Sequence, residues 1–187
     1  KSAVLDCMES GSTLRFLLPV AAALGVDALF QLSGRLPQRP LSPLWEELEQ
    51  MGAVLCRPTG DTISCKGQLR PGAYSIDGSV SSQFITGLIF ALSLLPGKSS
   101  LEITGKMESA PYVDMTLDAL NTFGISTNLA SLGNARPYCG PSKLIIEGDW
   151  SNGAFFLAAN ALGSNIDVHN LNLYSAQGDR AVTGILP

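Results

Sequence analysis

An internal repeat is the feature of this sequence that most restricts its fold. Three segments each contain a short apolar run, a polar turn rich in glycine and serine, an apolar helix pattern and then a glycine. The expected helix starts lie near Ser12, Ser82 and Ser151, which are 70 and 69 residues apart. Matched patterns at nearly constant spacing indicate that one structural unit is built several times.

Each repeat predicts a βαβαββ unit, because further regular patterns follow the apolar helix. Amphipathic helices are indicated around Leu48 and Leu117, and they end at Gly52 and Gly124. We expect two units in residues 1–142 and a third, truncated βαβα portion in residues 143–187. The strands that we expect cover residues 4–7, 28–33, 53–56, 62–66, 74–77, 100–104, 144–147 and 166–170.

The first helix of each unit is apolar on nearly every face. A helix of this kind has to be covered all round by other elements. The expected fold class is therefore α/β, with the apolar helices inside and the sheets and amphipathic helices around them. Pro19 lies within the first of these helices and removes one backbone hydrogen bond from it.

The composition limits the classes of function. Hydrophobic residues make up 45% and charged residues 15% of the chain, which favours a compact globule. The net charge of -4 and the lack of a basic run argue against nucleic-acid binding. The longest apolar stretches, residues 14–24 and 84–95, are shorter than the ~18–20 residues of a membrane span. The first residues show no secretory signal, so we expect a cytoplasmic protein without a membrane segment.

The four cysteines show no metal-ligand spacing. Cys7, Cys56, Cys65 and Cys139 form no CxxC pair, and none is spaced with a histidine as a zinc ligand would be. Reduced thiols are expected, although a Cys56–Cys65 cross-link across a hairpin is geometrically conceivable. We expect no cofactor and no metal.

Small hydroxyl residues open each apolar helix. They include Ser10, Ser12, Ser81, Ser82 and Ser151. One interpretation is that these residues serve as N-caps and have no further role. A helix N-terminus also offers free amides and a positive dipole end, which suit phosphate. Equivalent units would point their helix ends the same way, and this convergence favours an anion site.

Three arginines are candidates for anion binding. Arg15 lies one turn into an apolar helix, where its charge needs an anion or a helix cap. Arg35 and Arg39 lie in a turn-rich stretch, and their forked donors match phosphate and carboxylate. Surface salt bridges are the alternative for these two. His169 is expected to be structural, within a strand, and Asp149 and Asp179 are expected to cap helices.

Six motifs, in order, resemble those of the 5-enolpyruvylshikimate-3-phosphate synthase family. The resemblance covers almost the whole chain and implies the family's inside-out α/β barrel, in which βαβαββ units surround buried apolar helices. The motifs occupy residues 9–16 (ESGSTLRF), 34–41 (GRLPQRPL), 77–84 (DGSVSSQF), 109–117 (SAPYVDMTL), 147–152 (EGDWSN) and 177–179 (QGD).

The resemblance implies one set of residues for shikimate 3-phosphate. Ser81, Ser82 and Ser109 match the hydroxyls that hold its phosphate. Tyr112 matches the residue that lines that pocket.

A second set is implied for phosphoenolpyruvate. Arg39 matches the arginine that grips this substrate, and Gln83 matches the glutamine between the two substrates. Gly11 and Ser12 match the backbone beside which phosphoenolpyruvate, or the herbicide glyphosate, would lie. Arg15 would support this loop.

The implied reaction adds the 5-hydroxyl of shikimate 3-phosphate to the enolpyruvyl double bond and then releases phosphate. It needs acid–base groups and dense positive charge. The family supplies these from an N-terminal Lys-Ser…Arg segment and from later acidic and basic residues, which nothing here matches. We therefore expect an internal fragment, monomeric and inactive by itself. The alternative is a non-catalytic fragment that binds shikimate 3-phosphate.

Related families fit the residues less well. The UDP-N-acetylglucosamine enolpyruvyl transferases would need a cysteine in a Gly-Cys-Ala-Ile-Gly-like loop, and no segment matches it. RNA 3′-phosphate cyclases use related units, but the acidic balance argues against them. A structural remnant that neither binds nor reacts is the remaining alternative.

Overall fold

The computed structural model describes residues 1–107, 110–133 and 137–186. Within them, the first repeat has the expected order βαβαββ, whereas the second has one two-residue strand after its second helix in the described residues. The strands are β1 (Ser2–Asp6), β2 (Asp27–Gln31), β3 (Ala53–Cys56), β4 (Thr62–Gly67), β5 (Ala73–Asp77), β6 (Lys98–Thr104) and β7 (Leu132–Gly133). The α-helices are α1 (Gly11–Ala23), α2 (Leu44–Gln50), α3 (Ser82–Ser93), α4 (Ala110–Thr122) and α5 (Trp150–Ala161).

Two sheets follow the two repeats. The first has the order β1-β2-β4-β3, in which β1 and β2 are parallel and the other pairs are antiparallel. The second has the order β5-β6-β7, with β5 and β6 parallel and β7 antiparallel to β6. A parallel pair needs a crossover connection, and α1 and α3 supply it in the two units. The same connection therefore occurs twice.

The core lies where α1 and α3 pack together between the sheets. Leu14 and Leu18 of α1 and Phe84 and Leu88 of α3 are almost fully buried. Helices α1 and α3 are apolar on most faces because other elements surround them. Their shared packing brings their N-terminal ends to the same side of the molecule.

The third portion departs from the expected pattern. Residues 144–147 and 166–170 form no strand in the part of the chain that the structure describes. Only isolated bonds join the two segments: Gly148 N donates to the Asn170 carbonyl (2.7 Å), and the Asn170 side chain donates to the Ile146 carbonyl (3.1 Å). The strand predictions were wrong here because strands need a ladder of partners, and their own short apolar runs do not provide it. His169 is consequently exposed and outside any strand.

Helix α5 also differs from the prediction that the first helix of each unit is buried. Only Trp150 and Gly153 of α5 are buried. Phe155 is 77% exposed, and Phe156 and Leu162 are exposed as well. An apolar helix is buried only where another element covers it, and nothing in the described residues covers this face of α5.

No helix in the described part of the chain is long and apolar enough to cross a membrane.

The four cysteines are free thiols, and they divide into two exposed and two buried ones. In the β3–β4 ladder Cys65 pairs with Leu55 and Cys56 pairs with Ser64, so the two thiols do not face one another. Burial, with the nearby charge of Asp27, raises the pKa of Cys65 to about 11. Burial beside Asp6 raises the pKa of Cys7.

We therefore expect an alkylating reagent to modify Cys56 and Cys139 in the native chain and to spare Cys7 and Cys65. The thiolate is the reactive form, and burial suppresses both thiolate formation and access. Peptide mass spectrometry after a timed reaction would locate the label. Labelling of the same chain in urea should reach all four thiols and is the control. Rapid labelling of Cys65 under native conditions would contradict its burial in the structure.

Candidate functional site

The N-terminal ends of α1 and α3 lie side by side and are both capped by serine. Ser10 Oγ accepts a hydrogen bond from Thr13 N (3.2 Å), and Ser81 Oγ accepts one from Gln83 N (3.3 Å). An accepting hydroxyl still has its own hydrogen to donate. The predicted caps are present, and the Ser81 hydroxyl keeps its capacity to donate to an anion.

A cavity of about 680 Å³ opens beside these helix ends. It brings together six of the residues that the sequence had singled out for substrate binding or support. They are Ser12, Arg15, Ser81, Ser82, Gln83 and Tyr112. Ser109, which was also singled out, lies outside the described residues.

Arg15 bridges the two helices at the edge of the cavity. Its Nη1 donates to Gln83 Oε1 (2.8 Å), and its Nη2 donates to the Pro40 carbonyl (3.3 Å). Its guanidinium carbon lies 5.3 Å from the centre of the Phe84 ring, close enough for a cation–π contact. Arginine can only donate, so the Gln83 oxygen faces Arg15 and the Gln83 amide nitrogen, a donor, faces the other way.

The partners of Arg15 among the described residues are uncharged, so none of them supplies the anion that its charge calls for. Arg15 contacts an amide oxygen, a carbonyl and an aromatic ring, and its buried Nε has no hydrogen-bond partner among the described residues. Desolvation by burial, and then the nearby charge of Arg39, lower the pKa of Arg15. Arg15 still carries its charge at neutral pH, because the guanidinium group is the most basic side chain in proteins.

Arg39 joins Arg15 around Gly11, at the first turn of α1. A Cβ atom built on Gly11 would lie 2.9 Å from Nη1 of Arg15, 3.2 Å from Nη1 of Arg39 and 3.6 Å from Oε1 of Gln83. Because glycine has no side chain, two guanidinium groups can approach the backbone at Gly11. Two like charges this close favour an anion between them.

Arg35 has a different place from Arg39. It is exposed and precedes a 3₁₀ turn at Leu36–Gln38, and Arg39 follows that turn. The turn separates the two arginines and brings only Arg39 beside Gly11 in the described contacts.

Sequence reasoning missed half of the residues that line the cavity. Those residues come from the inner faces of α1, α3 and α4, where they read as ordinary core. The missed residues are Phe16, Thr86, Phe90, Met115, Thr116 and Ala119. Phe16 and Phe90 meet edge to face, with 6.0 Å between ring centres. The sequence signal that could have pointed to this wall of the cavity was the presence of Thr86 and Thr116 at otherwise apolar helix positions.

The loop before α3 is held by Asp77. Asp77 Oδ1 accepts hydrogen bonds from Ser79 N (2.8 Å) and Ser79 Oγ (2.7 Å), and these bonds lower the pKa of Asp77. Ser79 therefore belongs to a turn and not to the helix start. The turn fixes the approach of the chain to Ser81 and Ser82.

Tyr112 and Met115 also line a smaller cavity of about 310 Å³. Its remaining lining includes Glu147, Asp149 and Asp179. Each carboxylate already accepts hydrogen bonds from the chain. Glu147 accepts from Ser175 Oγ (2.6 Å) and Gln177 Nε2 (2.9 Å), which lowers its pKa.

Asp149 and Asp179 have different roles, although both were expected to cap helices. Asp149 is the N-cap of α5 and accepts from Ser151 N (2.9 Å), as predicted. Asp179 was wrongly predicted as a cap. It lies inside the 3₁₀ helix Gly178–Gly184, whose N-cap is Gln177, and its carboxylate accepts from Ser151 Oγ. No group of three metal-ligating side chains occurs among the described residues.

The matches to known proteins extend over nearly the whole chain. The sequence profile of the EPSP synthase (3-phosphoshikimate 1-carboxyvinyltransferase) family matches residues 1–186. A 3-phosphoshikimate 1-carboxyvinyltransferase of Clostridium acetobutylicum is 38% identical over 190 residues, and that of Brachyspira hyodysenteriae is 40% identical over 191 residues. These alignments cover 97% and 100% of this chain but 44% and 45% of the relatives. The chain thus spans less than half the length of these relatives.

Solved structures show the same fold. EPSP synthase from Acinetobacter baumannii superposes with a TM-score of 0.72 at 22% identity, over 98% of this chain and 42% of that one. This likeness confirms the predicted fold class, with repeated units around apolar helices. Together with the match to the family profile over residues 1–186, it shows that the chain belongs to the EPSP synthase family.

Proposed function

We propose that the protein containing this chain transfers the enolpyruvyl group of phosphoenolpyruvate to the 5-hydroxyl of shikimate 3-phosphate, with release of phosphate. The observation that carries this proposal is the convergence of Arg15, Arg39 and Gln83 on Gly11, beside a cavity with Ser81 and Ser82 at its edge. The site offers separate sets of donors for two anionic substrates. The names of the relatives support the same pair of substrates.

Ser81, Ser82 and Tyr112 form the proposed shikimate 3-phosphate site. Ser81 lies at the N-cap of α3 and Ser82 at its first position, where the helix dipole and free amides favour a phosphate. Tyr112 lies in the first turn of α4, is half exposed and lines the same cavity. Ser109 is proposed to complete the set.

Gly11, Ser12, Arg39 and Gln83 form the proposed phosphoenolpyruvate site. A carboxylate or phosphate between Arg15 and Arg39 would relieve the repulsion between their charges. The Gln83 amide nitrogen, turned away from Arg15, is free to donate toward a substrate that lies between the two sites. Arg15 has a supporting role, in which its bond to Gln83 Oε1 fixes the orientation of the Gln83 amide.

The described lining of the cavity favours binding over proton transfer. None of its described residues is an aspartate, a glutamate, a histidine or a lysine. Serine, arginine and glutamine side chains can orient the two substrates and stabilise developing negative charge. This observation favours the second candidate function, in which the chain by itself binds shikimate 3-phosphate without turnover.

The organisation proposed for the whole protein follows the repeats. Residues 1–142 would contribute two βαβαββ units to a shikimate-phosphate-binding domain, and residues 143–187 would begin a further unit. The two sheets and the exposed face of α5 support this division. A monomeric, cytoplasmic protein that uses only small-molecule substrates is proposed with it.

Calorimetric titration of shikimate 3-phosphate into the chain tests the proposal. We expect saturable binding, reduced about 10- to 100-fold by Ser82→Ala, because a hydrogen bond to a charged group contributes about 1.5–3 kcal/mol. Arg39→Ala should leave this affinity unchanged and weaken phosphoenolpyruvate instead. After phosphoenolpyruvate is added to the same samples, turnover would be followed by phosphate release.

Each possible outcome of the titration has a distinct meaning. Equal loss of shikimate 3-phosphate binding in both variants would contradict the two separate sites. No binding to a folded chain would contradict the assignment of recognition to these residues. Binding without phosphate release would favour the non-catalytic function for the isolated chain.

A further inference from the structure

Two buried threonines join α3 to α4 at the wall of the cavity. Thr86 of α3 is 5% exposed and Thr116 of α4 is 4% exposed. Their Oγ1 atoms are 2.8 Å apart, and both residues line the cavity. The substrate residues proposed above lie on the same two helices, with Ser81 and Ser82 at the start of α3 and Tyr112 in the first turn of α4.

The direction of this hydrogen bond follows from the neighbouring one. Thr116 Oγ1 donates its single hydrogen to the Tyr112 carbonyl (2.7 Å). Thr116 can therefore only accept from Thr86, whose hydroxyl must be the donor. A chain of two hydrogen bonds thus runs from Thr86 through Thr116 to the backbone of Tyr112.

The rest of the buried face of α4 cannot fix its position along α3 in the same way. Its other buried residues are Val113 and Leu120, which belong to the same apolar core as α3. Apolar packing is favourable but non-directional, so several small shifts of one helix along another have similar energies. A buried hydrogen bond is directional and is costly to leave unmade.

We propose that Thr86 and Thr116 are positioning residues that hold Tyr112 at the correct distance from Ser81 and Ser82. This inference rests on the function proposed above. The two threonines act through the placement of α4 and make no contact with substrate in this role. Their hydroxyls set how far the first turn of α4 stands from the start of α3.

The decisive variant replaces both threonines by valine, which has nearly the same shape. When both partners of a buried hydrogen bond become apolar, stability is often unchanged or increased. We expect the Thr86→Val/Thr116→Val chain to unfold in urea at the same or a higher midpoint than the parent chain. Its affinity for shikimate 3-phosphate, measured by calorimetry, should fall about tenfold. Stability and affinity would then change independently.

Three controls separate positioning from a general structural role. Thr86→Ser/Thr116→Ser keeps both hydroxyls but removes two core methyl groups, so it should be less stable and yet bind like the parent. Ser93→Ala removes a buried α3 hydroxyl that donates only to the Ile89 carbonyl of its own helix (2.7 Å), and it should not change affinity. In a Tyr112→Ala background the double valine change should cause no further loss, because the residue that it positions is gone.

The outcomes distinguish this inference from the proposed function. Binding by the parent chain that is lost in Ser82→Ala but unchanged in the double valine variant would overturn the positioning role alone. A loss of affinity that is fully additive with Tyr112→Ala would also overturn it. Failure of the parent chain to bind shikimate 3-phosphate would overturn the proposed function, and the role of the threonines in recognition with it.

Discussion

Replacement of Gly87 by alanine is expected to lower the free energy of unfolding by about 2–3 kcal/mol, because overpacking a tight helix contact forces backbone shifts. A Cβ on Gly87 would lie 2.2 Å from the carbonyl oxygen of Arg15 and 3.0 Å from Cγ of Pro19. The obstacle is therefore the backbone of α1, which cannot turn aside as a side chain can. Urea unfolding followed by circular dichroism would measure the change.

The reason for this close approach lies in α1. Pro19 has no amide hydrogen and cannot donate to the carbonyl of Arg15, four residues earlier. Gly87, buried in α3, instead points a Cα hydrogen at that oxygen, since the built Cβ takes the place of a hydrogen. Such contacts are weak hydrogen bonds at close helix interfaces. Pro19 and Gly87 together let the two helix backbones come together.

A matched glycine separates this contact from the effect of alanine itself. Gly60 has no atom within 4 Å of a built Cβ and has no positive φ, so Gly60→Ala should leave stability unchanged or slightly raised. Alanine should favour the helix at position 87 by about 1 kcal/mol through propensity alone. A Gly87→Ala chain as stable as the parent would mean that overpacking costs no more than this propensity gain, and it would contradict a rigid contact between α1 and α3.

The parts of the fold that depend on local sequence could be predicted well. Strand β3 lies at the residues expected for it, and α1, α3 and α5 begin within one residue of the expected starts. Ser10, Ser81 and Asp149 act as caps because a cap depends on residues only two or three positions away. Apolar periodicity and turn residues carry this local information.

The parts that depend on distant partners could not be predicted in the same way. Residues 144–147 have the composition of a strand, but a strand forms only beside a partner. The burial of Arg15 was expected from its place in an apolar helix, whereas its partner Gln83 is 68 positions away in the sequence. Thr86 and Thr116 likewise read as isolated threonines until the packing of α3 on α4 makes them a pair.

Replacement of Arg15 by methionine is expected to weaken phosphoenolpyruvate binding without lowering the stability of the chain. Methionine keeps much of the unbranched stem but removes the charge, whose hydrogen bonds to an anion contribute about 1.5–3 kcal/mol, or roughly 10- to 100-fold in affinity. Burial and the charge of Arg39 both disfavour the Arg15 cation in the free chain, as its lowered pKa shows. Removing that charge therefore relieves an unfavourable interaction that exists only until an anion binds.

Two measurements on parent and variant would show that affinity for phosphoenolpyruvate falls while stability does not. Calorimetry with phosphoenolpyruvate, with and without shikimate 3-phosphate present, gives the affinity, and urea unfolding gives the stability. A ligand that binds only the folded chain also raises its stability, so the same concentration of phosphoenolpyruvate should stabilise the parent more than the variant. Arg57→Met is the matched control, because Arg57 also lies over an aromatic ring, 5.8 Å from the centre of Trp45, but outside the cavity. Unchanged affinity in Arg15→Met would show that the Arg15 charge takes no part in the anion site. A large loss of stability would show instead that Arg15 holds α1 and α3 together by its own contacts, without a bound anion.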